Sequence, residues 1–244
     1  MAKESQKCAA GIKECDKMKL MVFDVDGTLS EHGTAIPEEV AEQLRHYEQS
    51  GLMIGICSGK PAYYLAGLAR GMGLKKAQII GENGGVIFNA ATLEESYIVK
   101  RPPVLDEIEK KAVADFKDKI WIQPNRIALT IFPKNQQEVP HLAEYIREML
   151  TPIEKEVVMY VHVDAIDIVP VGVDKGAALK KLAKELQIEK ENILAFGDSA
   201  NDLPMFRESG KVVMIGQRIE YPNAVSFESI HEAFQSKTVH DFVK

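Results

Sequence analysis

The chain has 244 residues, of which 45% are hydrophobic and 27% charged, and its formal net charge is −6. This length allows one large domain or two modest ones. The acidic balance argues against general binding of nucleic acid, which usually requires a basic surface. No apolar run reaches the roughly 20 residues of a membrane span, and the polar N-terminus lacks the apolar core of a secretory signal. We therefore expect a cytoplasmic protein without nucleic-acid or membrane partners, either a monomer or a homodimer.

Three cysteines do not make a disulfide framework, because their number is odd and small. Cys57 lies inside an apolar run and is predicted to be a buried small hydrophobe. Cys8 and Cys15 are expected to be exposed thiols on a flexible N-terminal tail of residues 1–17.

Strand-like and helical patterns alternate in the first third of the chain. The predicted elements are a strand at Leu20–Asp24, a helix at Pro37–Gln49, a strand at Met53–Cys57, a helix at Pro61–Met72 and a strand at Ala77–Ile80. Such a βαβαβ series predicts a parallel, doubly wound sheet, because crossover connections are right-handed.

The pattern changes after residue 85. The predicted elements are a hairpin of Val86–Asn89 and Ser96–Lys100, a helix at Val104–Phe116, strands between Lys119 and Phe132, a helix at Glu138–Leu150, and strands at Val157–Val163 and Ala165–Val169. The order ββ-α-ββ-α-ββ predicts a separate α+β module with an antiparallel sheet.

The first pattern resumes beyond Asp174. The predicted elements are a helix at Lys175–Leu186, a strand at Ile193–Phe196, a helix at Asp202–Glu208, a strand at Lys211–Ile215 and a helix at Ser229–Gln235. We therefore predict an α/β protein. Its doubly wound parallel, Rossmann-like core comprises residues 18–85 and 173–244, and its inserted α+β cap domain comprises residues 86–172.

The first strand ends in two aspartates, at the edge of an α/β sheet where ligands bind. Asp24 could act as a nucleophile toward phosphorus. Asp26, two positions later, could protonate the leaving alkoxide and then take a proton from water. The Thr28 hydroxyl could order these carboxylates and is also a candidate for binding the phosphate. The alternative is that both aspartates only cap a turn.

The second strand ends in Ser58 and Gly59. The Ser58 hydroxyl and the Gly59 amide are suitable donors to phosphoryl oxygens. Ser58 could equally be the N-cap of the helix that begins near Pro61.

Lys175 begins the first helix after the insert. A lysine in the first turn opposes the helix dipole, at a cost of about 0.3–1 kcal/mol, which suggests that it has a role. We expect it to bind a phosphate and offset the charge of the nucleophile. The alternative is an ordinary surface lysine.

An Asp/Asn-rich run follows the strand at Ile193–Phe196. Mg²⁺ prefers oxygen ligands and takes few carboxylates, and Asp198 is the expected direct ligand. Asp202 is expected to be either a second metal ligand or a supporting partner that also binds Lys175. Asn201 could orient either carboxylate and is also a candidate for binding the phosphate. The same run could instead be a turn that caps the next helix.

Residues of the expected hinge and cap are candidates for choosing the leaving group. Glu82 and Asn83 lie at the hinge, Arg126 in a turn, and His162 and Asp167 on strands of the cap. Each of them, taken singly, could also be purely structural.

Four segments together resemble the haloacid dehalogenase superfamily: DVDGTL, the SG of CSGK, VDKG and GDSAND. The resemblance implies a phosphatase with a large αββαββ-type cap that acts on a small phosphate ester, similar to phosphatases of the phosphoglycolate, Cof and sucrose-phosphate types. The second aspartate favours phosphate-ester hydrolysis, because the dehalogenase and phosphonatase branches lack it.

The resemblance also implies roles for residues. Asp24 would be the nucleophile and Asp26 the acid/base, while Ser58 and Lys175 would bind phosphate. Mg²⁺ would lie on the Asp24 carboxylate, the Asp26 carbonyl oxygen and Asp198, with Asp202 supporting it.

Two other functions remain open. A phosphomutase of the phosphomannomutase kind uses the same aspartyl-phosphate chemistry but excludes water. A receiver-type signalling domain also uses an aspartate, a lysine and Mg²⁺, but it is about half this length and has no large insert.

Overall fold

The computed structural model describes residues 18–151, 155–217 and 219–244. The expected flexible tail with Cys8 and Cys15 lies outside the described residues. Cys57 is buried, as predicted. Among the described helices, none is both long and apolar enough to cross a membrane.

The described residues form two sheets and helices that cover them. The strands are β1 (Leu20–Phe23), β2 (Met53–Cys57), β3 (Gln78–Gly81), β4 (Val86–Asn89), β5 (Glu95–Tyr97), β6 (Ile120–Ile122), β7 (Leu129–Pro133), β8 (Val157–Val161), β9 (Ile166–Pro170), β10 (Ile193–Gly197), β11 (Lys211–Ile215) and β12 (Val225–Phe227). The helices are α1 (Glu38–Gln49), α2 (Ala62–Gly71), α3 (Pro103–Phe116), α4 (Val139–Leu150), α5 (Lys175–Glu185), α6 (Leu203–Arg207), α7 (Ile230–Gln235) and α8 (Lys237–Val243).

The larger sheet has the strand order β12-β11-β10-β1-β2-β3-β4-β5, and its strands from β12 to β3 are parallel. Side chains of β1 alternate between two apolar clusters, one on each face. Helices α1, α2, α7 and α8 cover one face, and α5 and α6 cover the other. The predicted doubly wound α/β core is therefore confirmed, and burial on both faces explains the continuously apolar strands.

The assignment of the hairpin to the cap sheet is wrong. Strand β4 pairs antiparallel with β3, and β5 pairs with β4, so both extend the larger sheet. Glu82, Asn83 and Gly84 have left-handed backbone conformations that reverse the chain directly after β3. The alternating pattern of a strand does not reveal which sheet it joins, and a tight turn favours pairing with the preceding strand.

The smaller sheet is antiparallel, with the order β6-β7-β9-β8. It therefore has four strands instead of the expected six. Its inner side chains pack against α3 and α4 in a separate core that includes Leu105, Leu142, Ile146, Ile131 and Ile168. The α+β character of the insert is confirmed.

Two C-terminal elements were not predicted. Strand β12 extends the parallel sheet beyond β11, and α8 follows α7 after Ser236, whose side chain accepts a hydrogen bond from Val239 N. Helix α6 is shorter than expected, because a 3₁₀ turn at Ala200–Asp202 precedes it.

Candidate active site

The first and last acidic segments meet at one edge of the larger sheet. Strands β1 and β10 are parallel neighbours in which Phe23 faces Phe196. The backbone N–H of Asp24 donates to the carbonyl of Phe196 at 3.0 Å. Asp24 and Asp198 therefore leave the sheet side by side, although 174 positions separate them in the sequence numbering.

Lys175 lies between two of these carboxylates. Its Nζ donates to Oδ1 of Asp24 and to Oδ1 of Asp202, both at 2.6 Å. The side chain is only 1% exposed. Asp174 caps the helix by accepting a hydrogen bond from Ala177 N at 2.7 Å, which places Lys175 at the start of α5. The alternative of a surface lysine is wrong.

Asp202 is fully buried and uses both of its carboxylate oxygens. Oδ1 accepts from Lys175, and Oδ2 accepts from the backbone N–H groups of Asp198 at 3.0 Å and Ser199 at 3.1 Å. These bonds hold the loop that carries Asp198 against the lysine. Asn201 is exposed, and its Oδ1 accepts from Ser199 Oγ at 2.7 Å, so its side chain is not part of this group.

Three carboxylates fit a divalent cation. Asp24, Asp198 and Asp202 are all buried and offer ligand atoms that lie within 4.8 Å of one another. Three carboxylates with one ammonium give a formal charge of −2 in a site from which water is largely removed. Buried charge of one sign is costly unless it is compensated. A hard divalent cation would balance this charge through oxygen ligands of the kind that Mg²⁺ prefers.

The electrostatics of the site agree with this need for a cation. Removal from water raises the pKa of Asp24 to about 7, against the attraction of Lys175 and with added repulsion from Asp202 and Asp198. Burial alone would lower the pKa of Lys175, but the charges of Asp24 and Asp202 hold that pKa above its ordinary value. The lysine is therefore a permanent cation of the site.

The carboxylate of Asp26 is not one of the three that lie within 4.8 Å of one another. It forms an ion pair with Nζ of Lys60, and both side chains are partly exposed. This ion pair was not predicted, because a lysine that follows Ser-Gly carries no local pattern that indicates its partner. Thr28 Oγ1 is buried and has no hydrogen-bond partner among the residues that the structure describes.

Ser58 is buried at the end of β2, and its Oγ accepts from the N–H of Lys60 at 3.3 Å. Helix α2 begins at Ala62 with Pro61 as its N-cap, so the alternative of Ser58 as the N-cap is wrong. The carbonyl of Gly59 accepts from Nε2 of Gln123 at 3.2 Å, which joins this loop to the smaller sheet.

Glu82 connects the core to the turn between β6 and β7. Its carboxylate accepts from the backbone N–H groups of Arg126 at 2.8 Å, Ile127 at 2.7 Å and Ala128 at 3.1 Å. The residue is 1% exposed, and burial raises its pKa against these three hydrogen bonds. This bonding indicates that Glu82 positions the smaller sheet.

Three of the five leaving-group candidates meet in one cluster. Oδ2 of Asp167 accepts from Nδ2 of Asn83 at 3.0 Å and lies 3.2 Å from Nε2 of His162. The hydrogen bond that Nε2 of His162 makes to Asp167 is the main reason that the pKa of His162 is raised above its ordinary value.

Arg126 is engaged elsewhere. Its guanidinium donates to the Tyr63 hydroxyl at 3.1 Å and lies 3.9 Å from a carboxylate oxygen of Glu95. It is exposed and does not join the cluster of Asn83, Asp167 and His162.

Comparison with known proteins agrees with this geometry. A family model described as haloacid dehalogenase-like hydrolase matches residues 21–123 and 94–221. A phosphoglycolate phosphatase of Thermoplasma volcanium is 30% identical over 78% of this chain and 81% of its own length. A 5-amino-6-(5-phospho-D-ribitylamino)uracil phosphatase of Bacillus subtilis is 25% identical over 82% of this chain and 84% of its own length. A solved haloacid dehalogenase-like hydrolase from Bacteroides thetaiotaomicron has a TM-score of 0.72 at 24% identity, covering 90% of this chain and 99% of that one.

The chain belongs to the haloacid dehalogenase-like hydrolase family. The resemblance inferred from the four motifs is therefore confirmed. The expected enzyme class, a phosphoric monoester hydrolase, is confirmed at the level of the family and its phosphatase relatives.

Proposed function

We propose that the protein is a Mg²⁺-dependent phosphatase that hydrolyses a small phosphorylated metabolite, a sugar phosphate or phosphoglycolate, through an aspartyl-phosphate on Asp24. The observation that carries the proposal is the buried Lys175, which is held between Asp24 and Asp202 at 2.6 Å from each. An ammonium fixed beside a carboxylate can offset the repulsion between that carboxylate and a phosphate dianion.

In the first step, an oxygen of Asp24 attacks phosphorus and the P–O bond to the alcohol breaks. Asp26 gives its proton to the departing oxygen. In the second step, water attacks the same phosphorus, its proton passes to Asp26, and the bond to Asp24 breaks. The contact with Lys60 keeps the carboxylate of Asp26 in place between these proton transfers.

Asp24, Asp198 and the carbonyl oxygen of Asp26 would hold Mg²⁺. The bound ion supplies positive charge that stabilises the transferring phosphoryl group. Asp202 serves as the supporting partner, because both of its oxygens already accept hydrogen bonds.

The phosphoryl oxygens would accept hydrogen bonds from Thr28, Ser58 and the amide of Gly59. The Thr28 hydroxyl suits this role, because it is buried and has no partner among the described residues. Residues 103–170 would form the lid that covers the substrate and excludes bulk water. We assign no phosphate contact to Asn201, which is exposed.

The test is the release of inorganic phosphate from a panel of monoesters that includes p-nitrophenyl phosphate, phosphoglycolate and hexose phosphates. Chelator-treated protein should be inactive, and added Mg²⁺ should restore turnover. Full activity in chelator would remove the metal from the mechanism. A phosphomutase would instead require a bisphosphate activator and would release little phosphate, so the same assay separates the two reactions.

A further inference from the structure

We propose that Asp167 and Asn83 form the subsite for the leaving group, and that they select an alcohol carrying further hydroxyl groups over one carrying a carboxylate. This inference rests on the proposed phosphatase function. It concerns the chemistry that the polar face of the smaller sheet presents to the substrate.

The pair lies next to the elements that carry the proposed phosphate ligands. The backbone N–H of Asn83 donates to the carbonyl of Ser58 at 3.1 Å, and a Cβ added to Gly59 would lie 3.1 Å from the Asn83 amide nitrogen. On the other side, a Cβ added to Gly84 would lie 2.1 Å from the Asp174 carbonyl, at the start of α5. The turn that carries Asn83 and Gly84 therefore lies between the Ser58 loop and the start of the helix that begins with Lys175.

The pair presents hydrogen-bond acceptors. A carboxylate can only accept, so the amide nitrogen of Asn83 faces Asp167 and its amide oxygen points away. Both partners of Asp167 use Oδ2. Oδ1 of Asp167 and Oδ1 of Asn83 receive no hydrogen bond from the described residues, and both remain available for a ligand.

Two acceptors match hydroxyl groups, because each hydroxyl brings a proton to donate. The carboxylate of a glycolate leaving group brings only acceptors and a second negative charge beside Asp167. Two cations lie on neighbouring segments, but each already faces a carboxylate of the protein. Lys60, which follows Gly59, pairs with Asp26, and Arg126, in the turn between β6 and β7, lies close to Glu95. Tyr160 lies directly opposite Asp167 across strands β8 and β9 and is 47% exposed, which adds an aromatic surface for a carbon skeleton.

His162 holds the acceptor pair in place. Its Nε2 lies 3.2 Å from Oδ2 of Asp167, the same oxygen that accepts from Asn83, so Oδ1 takes part in neither contact. The charges that face this imidazole are those of Asp167 and Asp164.

A matched pair of esters tests the inference. The leaving groups of 2-hydroxyethyl phosphate and phosphoglycolate have the same two-carbon skeleton. The first ends in a hydroxyl group and the second in a carboxylate, which has one more oxygen. With Mg²⁺ present, the wild-type protein should show a kcat/KM at least about tenfold higher for the hydroxyl ester, which corresponds to about 1.4 kcal/mol. Hexose phosphates should be turned over better still.

The Asp167→Asn variant should lower that ratio of kcat/KM values by at least about tenfold, because it removes the charge and one acceptor. Asp118→Asn is the control, since it removes the same charge from the inserted unit at an exposed site that is not part of the acceptor pair and is not among the charges that face His162. Because the ratio compares kcat/KM for two esters on the same protein, a loss of folded protein or of chemical rate that affects both esters equally does not change it. A wild-type preference for phosphoglycolate, or an equal ratio in Asp167→Asn and the wild type, would overturn the inference. Absence of turnover by the wild-type protein with every ester, p-nitrophenyl phosphate included, would overturn the phosphatase proposal and this inference with it.

Discussion

Nζ of Lys175 is 2.6 Å from Asp24 and 2.6 Å from Asp202, although the three residues come from three distant segments of the chain. The lysine is the only buried cation that faces this group among the described residues. Stability and chemistry at the site therefore depend on the same side chain, and the two contributions can be separated by experiment.

Replacing Lys175 by Met should lower the free energy of unfolding by about 3–5 kcal/mol, because it leaves buried carboxylates without their cation. Urea unfolding followed by circular dichroism measures the change. Lys60→Met is the matched control, since the pair of Lys60 and Asp26 is partly exposed and should contribute no more than about 1 kcal/mol. Equal losses in the two variants would contradict the special position of Lys175.

Replacing Asp24 by Asn should reduce kcat for p-nitrophenyl phosphate by at least about 10³-fold, because an amide is a poor nucleophile toward phosphorus. The fold should persist, since Asn has nearly the same size. Steady-state phosphate release gives the rate, and circular dichroism gives the fold. Activity within tenfold of the wild type would rule out Asp24 as the nucleophile.

Mg²⁺ should raise the melting temperature of the wild-type protein, because a ligand that binds only the folded state stabilises it. The shift should largely disappear in Asp198→Asn, which removes an acidic ligand. Differential scanning fluorimetry with and without millimolar Mg²⁺ measures it. Glu208→Gln, a change of charge away from the three carboxylates, should keep the full shift. A full shift in Asp198→Asn would exclude this residue as a ligand.

The contact between His162 and Asp167 should make stability depend on pH. Because the hydrogen bond raises the pKa of folded His162 above its ordinary value, its stabilisation is complete below the unfolded pKa and is lost as pH rises through the folded one. The difference in free energy of unfolding between the wild type and His162→Gln should therefore be larger at about pH 6 than at about pH 9. An NMR titration of His162 with a midpoint below its ordinary value would contradict this expectation.

Replacing Glu82 by Ala should lower the free energy of unfolding by about 2–4 kcal/mol, because backbone N–H groups of Arg126, Ile127 and Ala128 would lose their acceptor, the last two of them in buried hydrogen bonds. Glu48→Ala is a control, since Glu48 accepts from the N–H groups of Lys75 and Lys76 where water can replace it. Urea unfolding compares the two variants. A similar loss in both would show that burial of the Glu82 contacts does not matter.

Much of the core was predictable from residue patterns, because each element there is specified locally. The apolar strand before Asp24 and the helix that follows Gly59 lie within two residues of their predicted ends. Lys175 was also detectable, because a basic residue in the first turn of a helix opposes the helix dipole and therefore suggests a role.

The sheet that the hairpin of β4 and β5 joins and the contacts of Lys60 and Arg126 could not be predicted in the same way. A strand pattern states which side chains share a face, but the sheet that a strand joins depends on the turn before it and on the edge available. Likewise, Lys60 and Arg126 are long and flexible, and their partners are chosen only when separate loops meet.

The sequence by itself determined the acidic strand ends, the order of the elements and the family, because these depend on neighbouring residues. Only the tertiary structure decided that Asp24, Lys175 and Asp202 share one buried contact, and that Asn83 meets Asp167. Asn83 and Asp167 are 84 positions apart in the chain, and Asp24 and Lys175 are 151 positions apart. Such contacts depend on how the sheets and helices pack in space, and no local pattern of residues encodes that packing.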